Sequence, residues 1–240
     1  MGRSTAELLL AQGHSVSFID RNDRDAKEFL EKSGRDRLHY SFGDVSIRQD
    51  VVSAVNSAIN KFGPLQGMFL TAGVHHSGTV LDCSDEDWDK IISINLKGMF
   101  FCLQAGLPSL KESGGSIVLM GSDQTFIGKN RSFLYGLTKG AIGQMVKSLA
   151  LDFAPYHIRV NAVCPGTIRT PMSEKAIQNW ANRDFSGDSS RAWEEEKMAF
   201  PLKEIGTPEG VAALAVFLLG SDSSFITGAN IPIDGGYTAS

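Results

Sequence analysis

Apolar and polar residues alternate in blocks along the chain, and the blocks have two kinds of period. Short apolar runs mark strands buried on both faces: Val16–Ile19, Leu38–Phe42, Leu65–Leu70, Ser116–Met120, Ile158–Val163 and Asn230–Ile233. Between them lie longer segments with apolar residues every three or four positions, the spacing of a helix with one buried stripe. These are Ser4–Gln12 with Gly13 as its stop, Asp23–Lys32, Ile47–Phe62, Asp85–Leu110 with a break near Pro108, Phe133–Phe153 and Pro208–Leu219. Strands alternating with helices of this length build parallel β-α-β units with helices on both faces. The pattern predicts an α/β fold, a doubly wound parallel sheet in three αβα layers, as one domain over residues 1–240. Residues 172–200 interrupt it. That stretch is polar, carries Trp180, Trp193 and the acidic run Glu194–Glu196, and predicts a lid of one or two short helices over a site.

Composition narrows the classes. An apolar content of 42% over 240 residues supports one large core and excludes a disordered chain. The net charge of −4 argues against a nucleic-acid binder held by phosphate contacts. Arg21, Arg24, Lys27, Arg35 and Arg37 alternate with acids and read as solvated surface. No apolar run reaches the length of a membrane span, and Met1-Gly2-Arg3-Ser4 does not open a signal peptide. Cys83, Cys102 and Cys164 are too widely spaced for a disulfide framework, which fits a reducing, cytoplasmic setting. None has metal-ligand spacing with a histidine, so no metal site is expected.

Chemistry gathers at the strand ends, where open parallel sheets bind ligands. Asp20, Asp44, Thr71-Ala72-Gly73, Ser122 and Pro165-Gly166 all fall there. An acid at position 20 suits the two hydroxyls of an adenine-side ribose and repels a 2′-phosphate, favouring NAD over NADP. The lesser reading is an acid at the next helix N-terminus, and the neighbouring Arg21 could tolerate a phosphate. Asp44 either caps the following helix or holds an adenine amine, and Gly73 lets backbone pass close to a flat cofactor. Tyr135 and Lys139 lie about one helical turn apart on the segment Phe133–Phe153. An adjacent ammonium favours a phenolate and is expected to lower the Tyr135 pKa towards the range of a useful base. Ser122 ends the preceding strand and offers a hydroxyl to a substrate oxygen. Taken alone, Tyr-x-x-x-Lys is also what a half-buried tyrosine beside a solvated lysine looks like.

The set as a whole resembles the short-chain dehydrogenase/reductases of the single-domain type, over essentially the full chain. The matching pieces are Asp20, Asp44-Val45, Thr71-Ala72-Gly73, Ile94-Asn95-Leu96, Gly121-Ser122, Tyr135-x-x-x-Lys139, Arg159-Val160-Asn161, Pro165 to Thr170 and Ile231 to Gly236. The resemblance implies a Rossmann-like fold and a reversible alcohol/ketone oxidoreductase using NAD, with NADP the lesser expectation. It implies Tyr135 as general acid/base, Lys139 on the nicotinamide ribose, Ser122 on the substrate carbonyl and Asn95 holding a water that links the lysine to solvent. Asn95 is also well suited simply to satisfy a kinked helix backbone. The cofactor set implied is Gly2, Asp20, Asp44, Val45, Ala72, Gly73, Tyr135, Lys139, Pro165, Gly166, Ile168 and Thr170.

Two departures stand out. Thr71 occupies a position where the family has asparagine. The family also opens with a strand and a glycine loop, of which only Gly2 has a counterpart here; the expectation is a chain cut from a longer parent, with its first strand absent. Pocket candidates are His75, His76, Asp123 and Gln124. A polar mouth of this kind points to a polyol, sugar or sugar acid. Arg169 or Arg131 would suit a carboxylate or a carrier phosphate, which leaves a 3-oxoacyl thioester open. A catalytically impaired binding or scaffold relative is the other class. Apolar residues on more than one face of the helices around Asn95–Leu107 and Gly140–Phe153 suggest a homotetramer or homodimer.

Overall fold

The computed structural model describes residues 1–33 and 36–239, so Arg35 lies outside the described residues. Six parallel strands form: β1 (Val16–Asp20), β2 (Leu38–Phe42), β3 (Gly67–Leu70), β4 (Gly115–Met120), β5 (Ile158–Pro165) and β6 (Asn230–Ile233). Helices separate them: α1 (Gly2–Ala11), α2 (Asp23–Ser33), α3 (Arg48–Phe62), α4 (Asp85–Ile92), α5 (Met99–Ser113) and α6 (Phe133–Phe153), then α7 (Pro171–Asp184), α8 (Ser189–Ala199) and α9 (Pro208–Leu219).

The strands bury both faces, and their two-residue period decides which core each residue joins. Ile117 and Leu119 of β4, with Val160 and Ala162 of β5, pack on Leu103, Leu107 and Leu110 of α5 and Ile142 and Val146 of α6. Val118, Met120 and Val163 point the opposite way, onto Val211, Ala215 and Leu218 of α9. In β1, Phe18 joins Phe29 of α2 and Ala6 of α1, while Ile19 turns to Val51 of α3 and Phe101 of α5.

The strands do not make one sheet. β1 pairs only with β2, and the other four run in the order β3-β4-β5-β6. No strand among the described residues lies between β1 and β3. A cavity of about 1320 Å³ occupies that position, lined by all of β1 and β3 and by apolar residues from both faces, among them Leu9, Ala54, Met99 and Val216. This is where the resemblance places its absent first strand.

Three expectations change. The helical stretch from Asp85 is not broken at Pro108, which sits inside α5; the irregularity falls earlier, in a π-helical turn at Ser93–Gly98. Pro108 and Gln104 both face solvent, so the carbonyl left without its helical donor stays hydrated. Second, Asp85–Ser113 is one helical run of 29 residues that contains an 18-residue window of mean hydropathy 1.3, enough by length and composition to cross a membrane. Its apolar side chains, Leu103, Leu107 and Leu110 among them, pack against β4 and β5 as a core helix does. Third, the apolar surplus on α5 and α6 is largely spent inside the chain: Met99, Phe101, Leu103 and Val146 are buried, while Phe100 and Leu151 remain exposed.

Candidate functional site

A second cavity, of about 700 Å³, opens beyond the carboxyl ends of β4 and β5. Ser122, Tyr135, His75, Gln124, Pro165, Gly166, Ile168 and Thr170 line it together. Gly2, Asp20, Val45 and Ala72 line the slot between β1 and β3 instead. Residues 172–200 form α7 and α8, and their Met172, Ile177, Trp180 and Glu196 cover one side of the first cavity. Glu196 of α8 accepts a hydrogen bond from the Thr167 hydroxyl on the loop after β5.

Local chemistry positions the central residues. Ser122 follows β4 directly and caps a tight turn, its hydroxyl oxygen accepting from the Gln124 N–H at 3.2 Å. Thr125 ties that turn down: its hydroxyl accepts from the Ser122 N–H at 3.2 Å and donates to the Lys139 carbonyl at 3.2 Å. The first turn of α6 thereby brings Tyr135 to the same cavity wall as Ser122, where the serine hydroxyl acts on the phenol. Lys139 is buried, with its ammonium 5.3 Å from the Tyr135 ring centroid, and it donates to the Met120 carbonyl at 2.7 Å. His75 packs on Tyr135 with ring centroids 4.9 Å apart, and burial holds its imidazole below the ordinary value.

The expected lowering of the Tyr135 pKa is reversed. Burial pushes the phenol up to about 12, the nearby Ser122 hydroxyl works against this, and the Asp123 charge adds to it. Burial also drives the Lys139 ammonium down to about 8. In a site walled by β4 and β5, burial dominates both shifts, because the charged form of each group is deprived of hydration there.

Asn95 is fully engaged. Its oxygen accepts from the Val74 N–H at 2.8 Å, and its amide donates to the Val74 carbonyl at 3.0 Å and the Thr138 hydroxyl at 3.1 Å. It clamps the loop after β3 to α6 rather than satisfying its own π-helical turn. Gly73 passes so close that a Cβ there would stand 3.3 Å from the Asn95 oxygen. Asp44 receives both the N–H and the hydroxyl of Ser46, at 2.8 and 2.7 Å, and so shapes the turn into α3. Burial raises its carboxyl, but the Ser46 bonds and the Arg21 charge outweigh that and hold it below the ordinary value. Lys129 and Ser132 also line the cavity and escaped the sequence reading. The run Gly128-Lys129-Asn130-Arg131 has only the letters of a surface loop.

The residues fit a nicotinamide cofactor. A buried ammonium has three protons to place, and the Met120 carbonyl takes one, leaving capacity for the paired hydroxyls of a ribose. The first amides of α1 have no side-chain cap, and Gly2 abuts the Thr71 side chain at the end of β3. An uncapped helix N-terminus there suits a diphosphate.

Comparison with known proteins places the chain. A family profile described as enoyl-(acyl carrier protein) reductase matches residues 1–238. The chain is 31% identical over its full length, and over 89% of the relative's, to a trans-4-hydroxycyclohexanecarboxylate dehydrogenase of Sinomonas cyclohexanicum. A short chain dehydrogenase family protein from Francisella tularensis superposes with TM-score 0.88 at 38% identity, covering 100% of this chain and 94% of that one. The ligand-free aldohexose dehydrogenase of Thermoplasma acidophilum does so with TM-score 0.88 at 29% identity, covering 100% and 90%. With its parallel strands, the Ser122–Tyr135–Lys139 cluster and these matches, the chain belongs to the short-chain dehydrogenase/reductase family, oxidoreductases that work with a nicotinamide cofactor.

Proposed function

We propose that this chain interconverts a secondary alcohol and a ketone with NAD(H), on a polyol, sugar or sugar-acid type of substrate. The observation that carries the reading is that Ser122 and Tyr135 line one cavity wall together, with the Lys139 ammonium 5.3 Å from the Tyr135 ring centroid. When bound, the nicotinamide supplies or accepts the hydride. Tyr135 gives a proton to the substrate oxygen or takes one from it. With its pKa at about 12, the phenol is protonated at neutral pH, the form that protonates a ketone as it is reduced. Ser122 orients the carbonyl, and Lys139 holds the ribose through the donors that Met120 leaves open.

Asp20 and Arg21 support NAD over NADP. The Asp20 side chain is exposed at the end of β1, where a 2′-phosphate would meet its charge. Arg21, the cation that would compensate, stands 3.7 Å from the Asp44 carboxylate. The thioester reading loses support in the same way. Arg169 pairs with Glu174 at 3.1 Å and stacks on Trp193 at 4.0 Å, and Arg131 pairs with Asp82 at 3.3 Å. Both cations that a carrier phosphate would need are committed elsewhere. The fold-level likeness to an aldohexose dehydrogenase agrees with a hydroxylated substrate.

Tyr135→Phe tests the reading. Turnover should fall by about 1,000-fold or more while NADH binding, followed by fluorescence titration, persists. Retained turnover removes Tyr135 from the chemistry. If the unaltered protein binds no NADH, the scaffold reading takes its place.

A further inference from the structure

Asp123 is the most unusual group beside the reacting centre. It is 2% exposed, yet it lines the cavity and follows Ser122 directly. Its Oδ1 accepts from the Ser122 hydroxyl at 2.7 Å and from the Gln124 N–H at 2.8 Å. Lys129 Nζ forms an ion pair with Oδ2 at 2.6 Å, and a carboxylate oxygen so paired keeps a second acceptor direction. The same ammonium lies 4.5 Å from the Tyr237 ring centroid.

Two polar atoms on this wall have no hydrogen-bond partner among the described residues. The Gln124 Oε1 and the Ser132 hydroxyl are buried and unsatisfied, and both residues line the cavity. The Gln124 oxygen lies against the first turn of α6, since a Cβ on Gly136 would stand 3.0 Å from it. Buried polar atoms are normally paired, so two unpaired ones on one wall imply a partner from outside the chain.

We propose that Asp123, Gln124, Lys129 and Ser132 form a subsite that reads a hydroxyl on the carbon next to the reacting one. The substrate is then a vicinal diol in one direction and an α-hydroxy ketone in the other. This rests on the alcohol/ketone reading above and narrows its substrate. The neighbouring hydroxyl donates to the Asp123 carboxylate and accepts from Lys129 or Ser132. A carboxylate at that carbon would face the Asp123 charge and is rejected. The arrangement also bears on Ser122, whose single proton is held by Asp123. A substrate hydroxyl that donates to Asp123 weakens that hold and frees the Ser122 proton for the reacting oxygen. The adjacent hydroxyl should therefore raise kcat as well as lower KM.

The test compares three alcohols with NAD on the full chain: 1,2-cyclohexanediol, cyclohexanol and 2-hydroxycyclohexanecarboxylate. A site built to hydrogen-bond a hydroxyl should prefer the diol to cyclohexanol by about 100-fold or more in kcat/KM, with the carboxylate poorest. Asp123→Asn and Ser132→Ala, each checked for an unchanged circular dichroism spectrum, should each cut that ratio at least tenfold. Measurable turnover without a diol preference, or a preference that survives both variants, overturns the subsite and leaves the alcohol/ketone reading standing. If no alcohol is turned over although NADH binds, that reading falls instead. Titration of the NADH-loaded protein with diol and cyclohexanol then decides the subsite: tighter diol binding supports it and equal binding ends it.

Discussion

At the scale of single residues, Tyr135 and Lys139 show what a sequence can and cannot carry. Their spacing put both on one side of α6, and the structure agrees. The direction of their pKa shifts depends on how much water the fold removes, and that is set by β4 and β5, far away in sequence. Lys139 makes this testable. Its folded pKa of about 8 lies below the ordinary 10.5, so between those values the unfolded chain binds more protons than the folded one. Stability from this group must therefore rise with pH across that window, and below about 8 the full cost of the buried charge applies. Lys139→Met removes the charge. The variant should gain on the wild type below pH 8, by up to roughly 3 kcal/mol, and the gap should close between pH 8 and 10. Urea unfolding at stepped pH measures it, and the range should stop at 10, where the raised Tyr135 begins to lose stability in the opposite sense. A gap independent of pH would mean that the ammonium is hydrated.

Among the elements, those with a strong period were legible and those that break a period were not. The strands matched to within two or three residues at their ends, and α6 matched at both ends, because apolar runs bounded by glycine and polar residues leave little choice. A kink at Asn95 was legible, but the partners of its side chain in the π-helical turn at Ser93–Gly98 were not, since Val74 and Thr138 reach it across the fold. The pocket wall of Lys129 and Ser132 was invisible for the same reason. Contact between α6 and the Ser122 turn likewise depends on one residue with no local signal, Gly143. A Cβ there would stand 2.5 Å from the Thr125 methyl, and Thr125 holds both the Ser122 N–H and the Lys139 carbonyl. Gly143→Ala must push that turn away from the helix. We expect a loss of about 1–3 kcal/mol in urea unfolding. The kcat should fall more than tenfold, since a displacement of about 1 Å at catalytic groups has that effect or greater. Native kcat in the alanine variant would show that the Ser122 turn tolerates the shift.

For the whole molecule, the division of the sheet matters most. A doubly wound sheet normally transmits cooperativity through its ladder, but among the described residues no ladder joins β1-β2 to β3-β4-β5-β6. The two parts meet through packing, chiefly α1 on α9 and α3 on α5, with Ile19 of β1 and Met68 and Leu70 of β3 in one small apolar cluster, around a slot of about 1320 Å³ with apolar walls. The smaller part has its own small core of Ala6, Phe29 and Leu38, while the larger holds the two clusters built on β4 and β5. Unequal cores without a shared ladder should open at different denaturant concentrations. The tryptophans provide a clean probe, because Trp88, Trp180 and Trp193 lie in α4, α7 and α8, all within the larger part. Far-UV circular dichroism reports both parts, since α1, α2, β1 and β2 contribute to it as well. In a urea titration the dichroism should therefore begin to fall before tryptophan fluorescence changes, and the two curves should not superimpose. A dye that fluoresces on apolar surface should bind in the gap between the two transitions, when the slot walls open but the larger core persists. Coincident curves with one midpoint would show that these packing contacts alone weld the two sheets into one cooperative unit.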